Sequence, residues 1–583
     1  MADAPMRLPD WTRGTAAAAA VPAALVAASL ATLWAFTAED AYIVARYGEN
    51  LVRHGRLHFN LGEPVNALTS PLHGLLTAAL ALAGPPVPVY KWVGAACLVA
   101  SGALVARALR GHPWAQAGAL LVVASPPLAL WAVGGLETPL LMLWATALAV
   151  LAASGAGPTP RRTYAVAALA ALAVLTRYDA VLFAGPLALG ALVRLWQAGP
   201  RQRRHVWGAV ALGAAPVLAW LGVAWWHYGD PLPTSFYVKP PGETAWTLNG
   251  WYVAQYLAFV GAAPLAALAL LRWRRRRAVA VRVPVELAVA LGVVGLYALT
   301  AATTHMMFGF RLGVPYVPAL AVVVGRALAA TAPEGGGLWR QRLGWGAALA
   351  LLAGFHVAHL RHFDERSING FAVGLEQADA YRDAGATGQV GKTLLEYTRE
   401  GAGVYSDRFM RSLASAAEDI EADWQARHGG TPPRPPRIWT FAAGVLPYSY
   451  PEAYVFEVLV SYRQACSLRY HKALAADYVH VFNDHGREER TLLPRWRPGR
   501  YERVATYTYD FDGRQTDFIV FHNTDPRPNP LPARIHDPCP PEAAWASPVF
   551  ASDAAREAFE ARVRASGGAV RPVGLAPAPA AAR

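Results

Sequence analysis

The chain has 583 residues, 54% of them hydrophobic, with a formal net charge of +13 and a mean hydropathy of +0.23. These values exclude a wholly soluble chain and fit a polytopic membrane protein that carries a sizeable soluble part. Many of the arginines sit in short connectors between apolar runs, where they set topology, which speaks against a nucleic-acid partner as the reason for the charge.

In chain order, the segment Met1 to Gly14 carries charges of both signs and lacks a signal-peptide pattern. It leads into an apolar run at 15–36, long enough to cross a bilayer, for which about 20 residues suffice. The run ends on a carboxylate pair, Glu39-Asp40. A charge at bilayer centre costs about 2.5–3.5 kcal/mol on insertion scales, so the pair belongs where the helix emerges. The stretches Ala41 to His54 and Pro71 to Leu82 are too short to span. They are expected as amphipathic helices on the membrane surface.

Ten further apolar runs follow, at 88–107, 114–133, 137–153, 164–176, 180–196, 206–226, 252–271, 285–302, 312–330 and 343–360, which makes about 11 spans with the first. Their connectors alternate. One set carries Arg107 and Arg110; Arg161 and Arg162; Arg194, Arg201, Arg203 and Arg204; Arg272 and Arg274 to Arg277; Arg340 and Arg342. By the positive-inside rule these face the cytoplasm. The other set, 37–87, 134–137, 177–179, 227–251 and 303–311, is poor in arginine and faces outward. The N-terminus is then cytoplasmic, and everything after about Arg361 is extracytoplasmic.

Beyond that point the apolar runs stop. Residues 372–425 have helical periodicity, and segments opening at Arg437, Tyr478 and Asp517 read as strands, so a small extracytoplasmic α/β domain is expected. The expected division is a membrane domain over 1–361, containing the first outer loop 37–87, a soluble domain over 362–566 and a disordered Ala/Pro-rich tail over 567–583. Cys97 falls in an apolar segment. Cys466 and Cys539 lie in the outer region, where a disulfide between them and two free thiols are evenly balanced readings.

The first outer loop reads Glu39-Asp-Ala-Tyr-Ile and continues, from Phe59, Asn-Leu-Gly-Glu-Pro-Val-Asn-Ala-Leu-Thr-Ser-Pro-Leu. Then come, in order, Gly135-Leu-Glu-Thr-Pro-Leu, Thr176-Arg-Tyr-Asp, Tyr228-Gly-Asp-Pro-Leu-Pro-Thr-Ser-Phe-Tyr-Val-Lys and Phe310-Arg-Leu-Gly-Val-Pro, with a weaker continuation in Gly444-Val-Leu-Pro-Tyr-Ser-Tyr. Together they resemble the GT-C membrane glycosyltransferases, and most of all the family of the mycobacterial terminal β-(1→2)-arabinofuranosyltransferase. Every one lies in an outward connector or the outer domain. The chain departs from that family in three places. Glu39 replaces an aspartate, His73 replaces a tryptophan, and Thr303-Thr-His-Met-Met-Phe-Gly lacks the family's acid.

The resemblance implies an inverting transfer of a sugar, arabinofuranose in that family, from a polyprenyl-phosphate donor to a hydroxyl of an envelope glycan or glycolipid at the outer face of the cytoplasmic membrane. A hydroxyl is a poor nucleophile at neutral pH, so a carboxylate must take its proton. Asp40 is the candidate base, and Glu39 the candidate for positioning the acceptor or holding a metal; both also suit plain capping of a helix N-terminus. The leaving lipid phosphate asks for fixed cations, for which Lys239 and Arg311 stand in motifs; snorkelling or anchoring at a helix end is the plainer reading of each. Tyr42, Arg46, Glu137, Tyr237 and His305 are candidate substrate contacts. Glu137 also reads as a helix cap, and Arg177 with Asp179 as a bracing pair. One acidic pair is too thin a donor set to argue a divalent cation, and no nucleotide-binding loop is visible. A lipid-linked sugar flippase and a non-catalytic envelope or motility scaffold remain as alternatives; the absence of internal repeats and the polar residues gathered at one face favour an enzyme.

Overall fold

The structure is a computed structural model that describes residues 11–155, 157–238, 250, 253–254, 256–258, 260–276, 283–300, 311–330, 338–362, 407–440, 442–457, 460, 476–484, 501–511 and 514–526. Lys239, His305, Cys466, Cys539, the side chain of Tyr237 and the tail 567–583 lie outside the described residues. The chain divides into two compact units, one of residues 1–36, 88–218 and 242–397, the other of residues 37–87, 219–241 and 398–583. The loop 37–87 thus groups with the C-terminal segment, where the sequence had been divided at residue 361.

The first unit is helical. It contains α1 (Trp11–Leu33), most of α4 (Pro86–Ala108), α5 (Pro113–Val123), α6 (Pro126–Val133), α7 (Thr138–Ala153), α8 (Pro160–Thr176), α9 (Val181–Gln197) and the start of α10 (Pro200–Tyr228). Helices at Ala262–Arg276, Val285–Thr300, Val317–Ala330 and Leu338–His362 complete it. By length and composition, three helices among the described residues are apolar and long enough to cross a membrane, and α5 with α6 makes a fourth if taken as one span. The apolar stretches within the other helices run to 10–17 residues, such as Ala19–Leu33 and Trp345–Ala358, so fewer helices meet this test than the 11 spans expected. The sequence reads 114–133 as one helix, but it bends by 51° between α5 and α6. Pro126 and Pro127 explain the break, since neither offers an N–H to the preceding turn and each ring crowds it.

The second unit holds α2 (Ala41–His54), α3 (Pro71–Ala81), the end of α10, the short α11 (Thr234–Val238), a helix at Asp407–Arg427 and a five-stranded sheet. The strands are β1 (Arg437–Thr440), β2 (Tyr454–Phe456), β3 (Tyr478–Asp484), β4 (Tyr501–Phe511) and β5 (Arg514–Asn523), in the order β2-β1-β3-β5-β4. The pairs around β1 are parallel and those around β5 antiparallel. Side chains alternate across the sheet, as a period of two requires. Ile438, Tyr478, Phe518 and Val520 pack with Leu413, Ala417, Ile420 and Trp424 of the helix. Trp439, Val479, Ile519 and Phe521 form the other face. Trp439, Tyr450 and Tyr454, aromatic residues with the chemistry to stack on sugars, belong to these packed clusters.

A correction concerns α2. Amphipathicity suggested an apolar face laid on lipid, but Val44 and Tyr47 pack instead with Phe59, Leu68, Ala443, Val455 and Val460. Burial against protein satisfies the same hydrophobic pattern. At the crossing with α3, Gly48 lies against the backbone of Thr77 and Ala78, and an added Cβ would stand 2.8 Å from the Ala78 nitrogen.

Candidate functional site

The acidic pair opens α2 in the second unit. Glu39 is buried, 7% exposed, while Asp40 at the helix N-cap faces solvent. The Gly444 amide donates to Glu39 Oε1, and the Val445 amide donates to the same oxygen at 3.1 Å. These donors begin the short helix Val445–Ser449, which lies on the crossover between the parallel strands β1 and β2. Amides in a first helical turn have no partner within the helix, and a carboxyl oxygen is a suitable acceptor for them. Gly444 must be glycine here, because a Cβ would collide with the Glu39 carbonyl and carboxyl. Burial, and next the charge of Asp40, push the Glu39 carboxyl from its ordinary 4.5 up to about 8 against the pull of the two amides. One member of the pair is therefore clamped and pushed toward its protonated form, and the other is presented at the surface.

Arg46, expected as a substrate contact, is buried among carbonyls. Its guanidinium donates to Phe59 O at 2.8 Å, Ala453 O at 2.8 Å, Pro451 O at 3.1 Å and Pro447 O. Burial pulls it down to about 9, which still leaves a cation at neutral pH. It braces the segment that carries Gly444 instead of reaching a ligand. Asn60 exchanges both its amide groups with the Val455 backbone, each at 2.9 Å, and so pins the loop to β2. Tyr42, two residues beyond Asp40, packs at a tilt of 59° against Tyr448 with ring centroids 5.1 Å apart, and the Tyr448 hydroxyl donates to Glu49. Behind α2, Thr234 donates to Asn66 O through both its backbone amide and its hydroxyl, and Tyr228 donates to Leu57 O at 2.7 Å, so the connector after α10 is tied to the first loop.

The first unit gathers a second set of the expected residues. Arg177 donates to both oxygens of Asp179, at 2.9 and 2.6 Å, as the bracing pair anticipated. It also donates to Glu137 Oε1 at 2.8 Å, and Arg311 donates to that same oxygen at 3.2 Å. Glu137 is at the N-cap of α7 but makes no side-chain cap bond, so the capping reading is corrected: its carboxylate serves two arginines. The Arg311 guanidinium stands 5.6 Å from the ring centre of the buried Trp131, which meets Phe36 edge-on. Lys91 donates to the carbonyls of Trp34 and Phe36, each at 2.8 Å, in the segment that follows α1. Residues 137, 177–179 and 311 come from three connectors that the arginine pattern placed on one side.

Among the described residues no three His, Cys, Asp or Glu groups gather as a metal site. A divalent ion held by Glu39 and Asp40 would draw the rest of its oxygen shell from water or a substrate phosphate. The Gly444 and Val445 amides and Trp131 act through long-range contacts that no local sequence pattern encodes.

No protein-family model matches the chain, and no curated protein matches it either. Solved structures do. The crystal structure of ArnT from Cupriavidus metallidurans bound to undecaprenyl phosphate aligns with a TM-score of 0.52 at 15% identity, over 87% of this chain and 98% of that one. Its apo state gives 0.51 at the same identity and coverage. The arabinofuranosyltransferase AftD from Mycobacteria aligns at 0.45 and 15% identity, over 87% of this chain and 40% of AftD. The chain thus shares its fold with the ArnT structures.

Proposed function

We propose that this chain transfers a sugar from a polyprenyl-phosphate donor to a hydroxyl of a cell-envelope glycan at the outer face of the cytoplasmic membrane. The observation that carries the reading is the divided acidic pair, with Glu39 clamped by the Gly444 and Val445 amides and Asp40 facing solvent at the head of α2. Two carboxyls whose environments differ this much are suited to different tasks. The fold supports the donor class, since an ArnT structure of that fold holds undecaprenyl phosphate. Arabinofuranose is the sugar that the motif order favours.

In the proposed reaction the acceptor oxygen attacks the anomeric carbon and inverts it. A new C–O bond forms as the bond to the phosphate oxygen breaks. The acceptor proton passes to Asp40, and the electron pair leaves with the lipid phosphate, whose growing charge asks for fixed cations; Arg311 and Lys239 are the candidates that the sequence offers for that role. Glu39 fixes the backbone that presents Asp40. Positioned general bases are worth about 10²–10⁴ in rate, so Asp40→Asn is expected to lower transfer by at least 10²-fold in purified enzyme given polyprenyl-phosphate sugar. The variant should insert and melt as the wild type does. Unchanged glycan products from it would favour the scaffold. Lipid translocation by reconstituted vesicles without glycosidic bond formation would favour the flippase.

A further inference from the structure

The four charged groups at 137, 177, 179 and 311 sum to zero, yet they are unevenly shared. Arg177 has a carboxylate of its own in Asp179, held through two bonds, and takes Glu137 Oε1 by the shorter contact, 2.8 Å. Arg311 shares that oxygen from 3.2 Å. Its guanidinium also stands over the indole of Trp131, a surface that favours any cation and is indifferent to which anion accompanies it. Glu137 is 1% exposed and Arg311 9% exposed, so the contact is made away from bulk water, where an anion counts for more than at the surface. Arginine presents a fork of donors that matches a phosphate as well as a carboxylate.

We propose that Glu137 is a resident counter-anion, which neutralises Arg311 until the phosphate monoester of a lipid takes its place. This rests on the donor class proposed above and adds a device to it. In the empty enzyme Glu137 supplies the buried guanidinium with a carboxylate. When the lipid phosphate arrives, Arg311 turns to it, and Glu137 stays with Arg177. The same carboxylate repels the incoming phosphate, so it holds affinity down and eases release of the spent lipid. Glu137 is a positioning residue here and touches no reacting atom.

The sign of one substitution tests this. Glu137→Gln keeps shape and hydrogen-bonding capacity but makes the cluster net positive. It should bind undecaprenyl phosphate in detergent about tenfold more tightly than wild type, equivalent to about 1.4 kcal/mol, with slower release and lower turnover. Arg311→Ala should bind it more weakly. If Glu137→Gln fails to fold, Glu137→Asp, which withdraws the charge by one methylene, should shift affinity the same way by a smaller factor. Unchanged or weaker binding in the glutamine variant, or in the aspartate variant if that one alone folds, with wild type still binding the lipid, overturns the counter-anion and leaves the donor class standing. Wild type that does not bind undecaprenyl phosphate overturns both.

Discussion

At the scale of single residues, Glu39 carries a consequence for stability. Its carboxyl is raised from 4.5 to about 8 on folding, chiefly by burial and then by the neighbouring charge of Asp40. Between those values the folded chain holds a proton that the unfolded chain has lost, so stability falls as pH rises through the window. Glu39→Gln keeps an acceptor oxygen for the Gly444 and Val445 amides and cannot ionise. We therefore expect wild type and the glutamine variant to unfold at similar temperatures near pH 5, and wild type to fall progressively below the variant toward pH 8. Parallel curves in thermal unfolding across that range would show that Glu39 is ionised in the folded protein. The acidic pair was legible as a pair because it interrupts an apolar run. Its division was not, since the partner amides lie about 405 residues away in sequence. Arg46 was misread for the same reason: four carbonyls, three of them near residue 450, use a guanidinium that the helix pattern alone placed on a polar face.

At the scale of elements, position was far more legible than partnership. Runs of apolar residues bounded by arginine or proline located nearly every helix, and the periodicity of 41–54 and 71–82 located α2 and α3. What periodicity does not encode is what covers an apolar face. For α2 the cover is α3 and the segment around Ala443, and the crossing is close because Gly48 has no side chain. Gly48→Ala places a methyl against backbone atoms of Thr77 and Ala78, which cannot move aside as a side-chain tip would. Overpacking of this kind costs about 1–3 kcal/mol. The variant should lose several degrees of melting temperature and become more open to protease between α2 and α3. Strands β2 and β4 were missed. Three residues are too few for an alternating pattern, whereas Thr506 to Phe511 of β4 does alternate polar and aromatic residues and was legible as a strand.

At the scale of the whole molecule, charge alone sorts the connectors into two faces, and the residues that meet in the structure respect that sorting. Glu137, Arg177 with Asp179, and Arg311 belong to three different arginine-poor connectors, and they form one ionic cluster. Connectors on opposite sides of a bilayer cannot do that, because about 30 Å of hydrocarbon would separate them. The cluster is thus a check on the topology independent of the arginines that suggested it. It leaves the absolute orientation to be measured. In a chain whose own cysteines are replaced by serine, Arg161→Cys and Arg201→Cys, both at exposed positions, should react with a membrane-impermeant maleimide only after cells are permeabilised. Arg56→Cys, exposed just beyond α2, should react in intact cells. The positive-inside rule acts on arginines near helix ends and is blind to acids, so the Glu39-Asp40 pair takes its side from the connector that holds it. Labelling of Arg56→Cys only after permeabilisation would put the acidic pair in the cytosol, where the lipid-linked sugar and the glycan acceptor proposed above are absent.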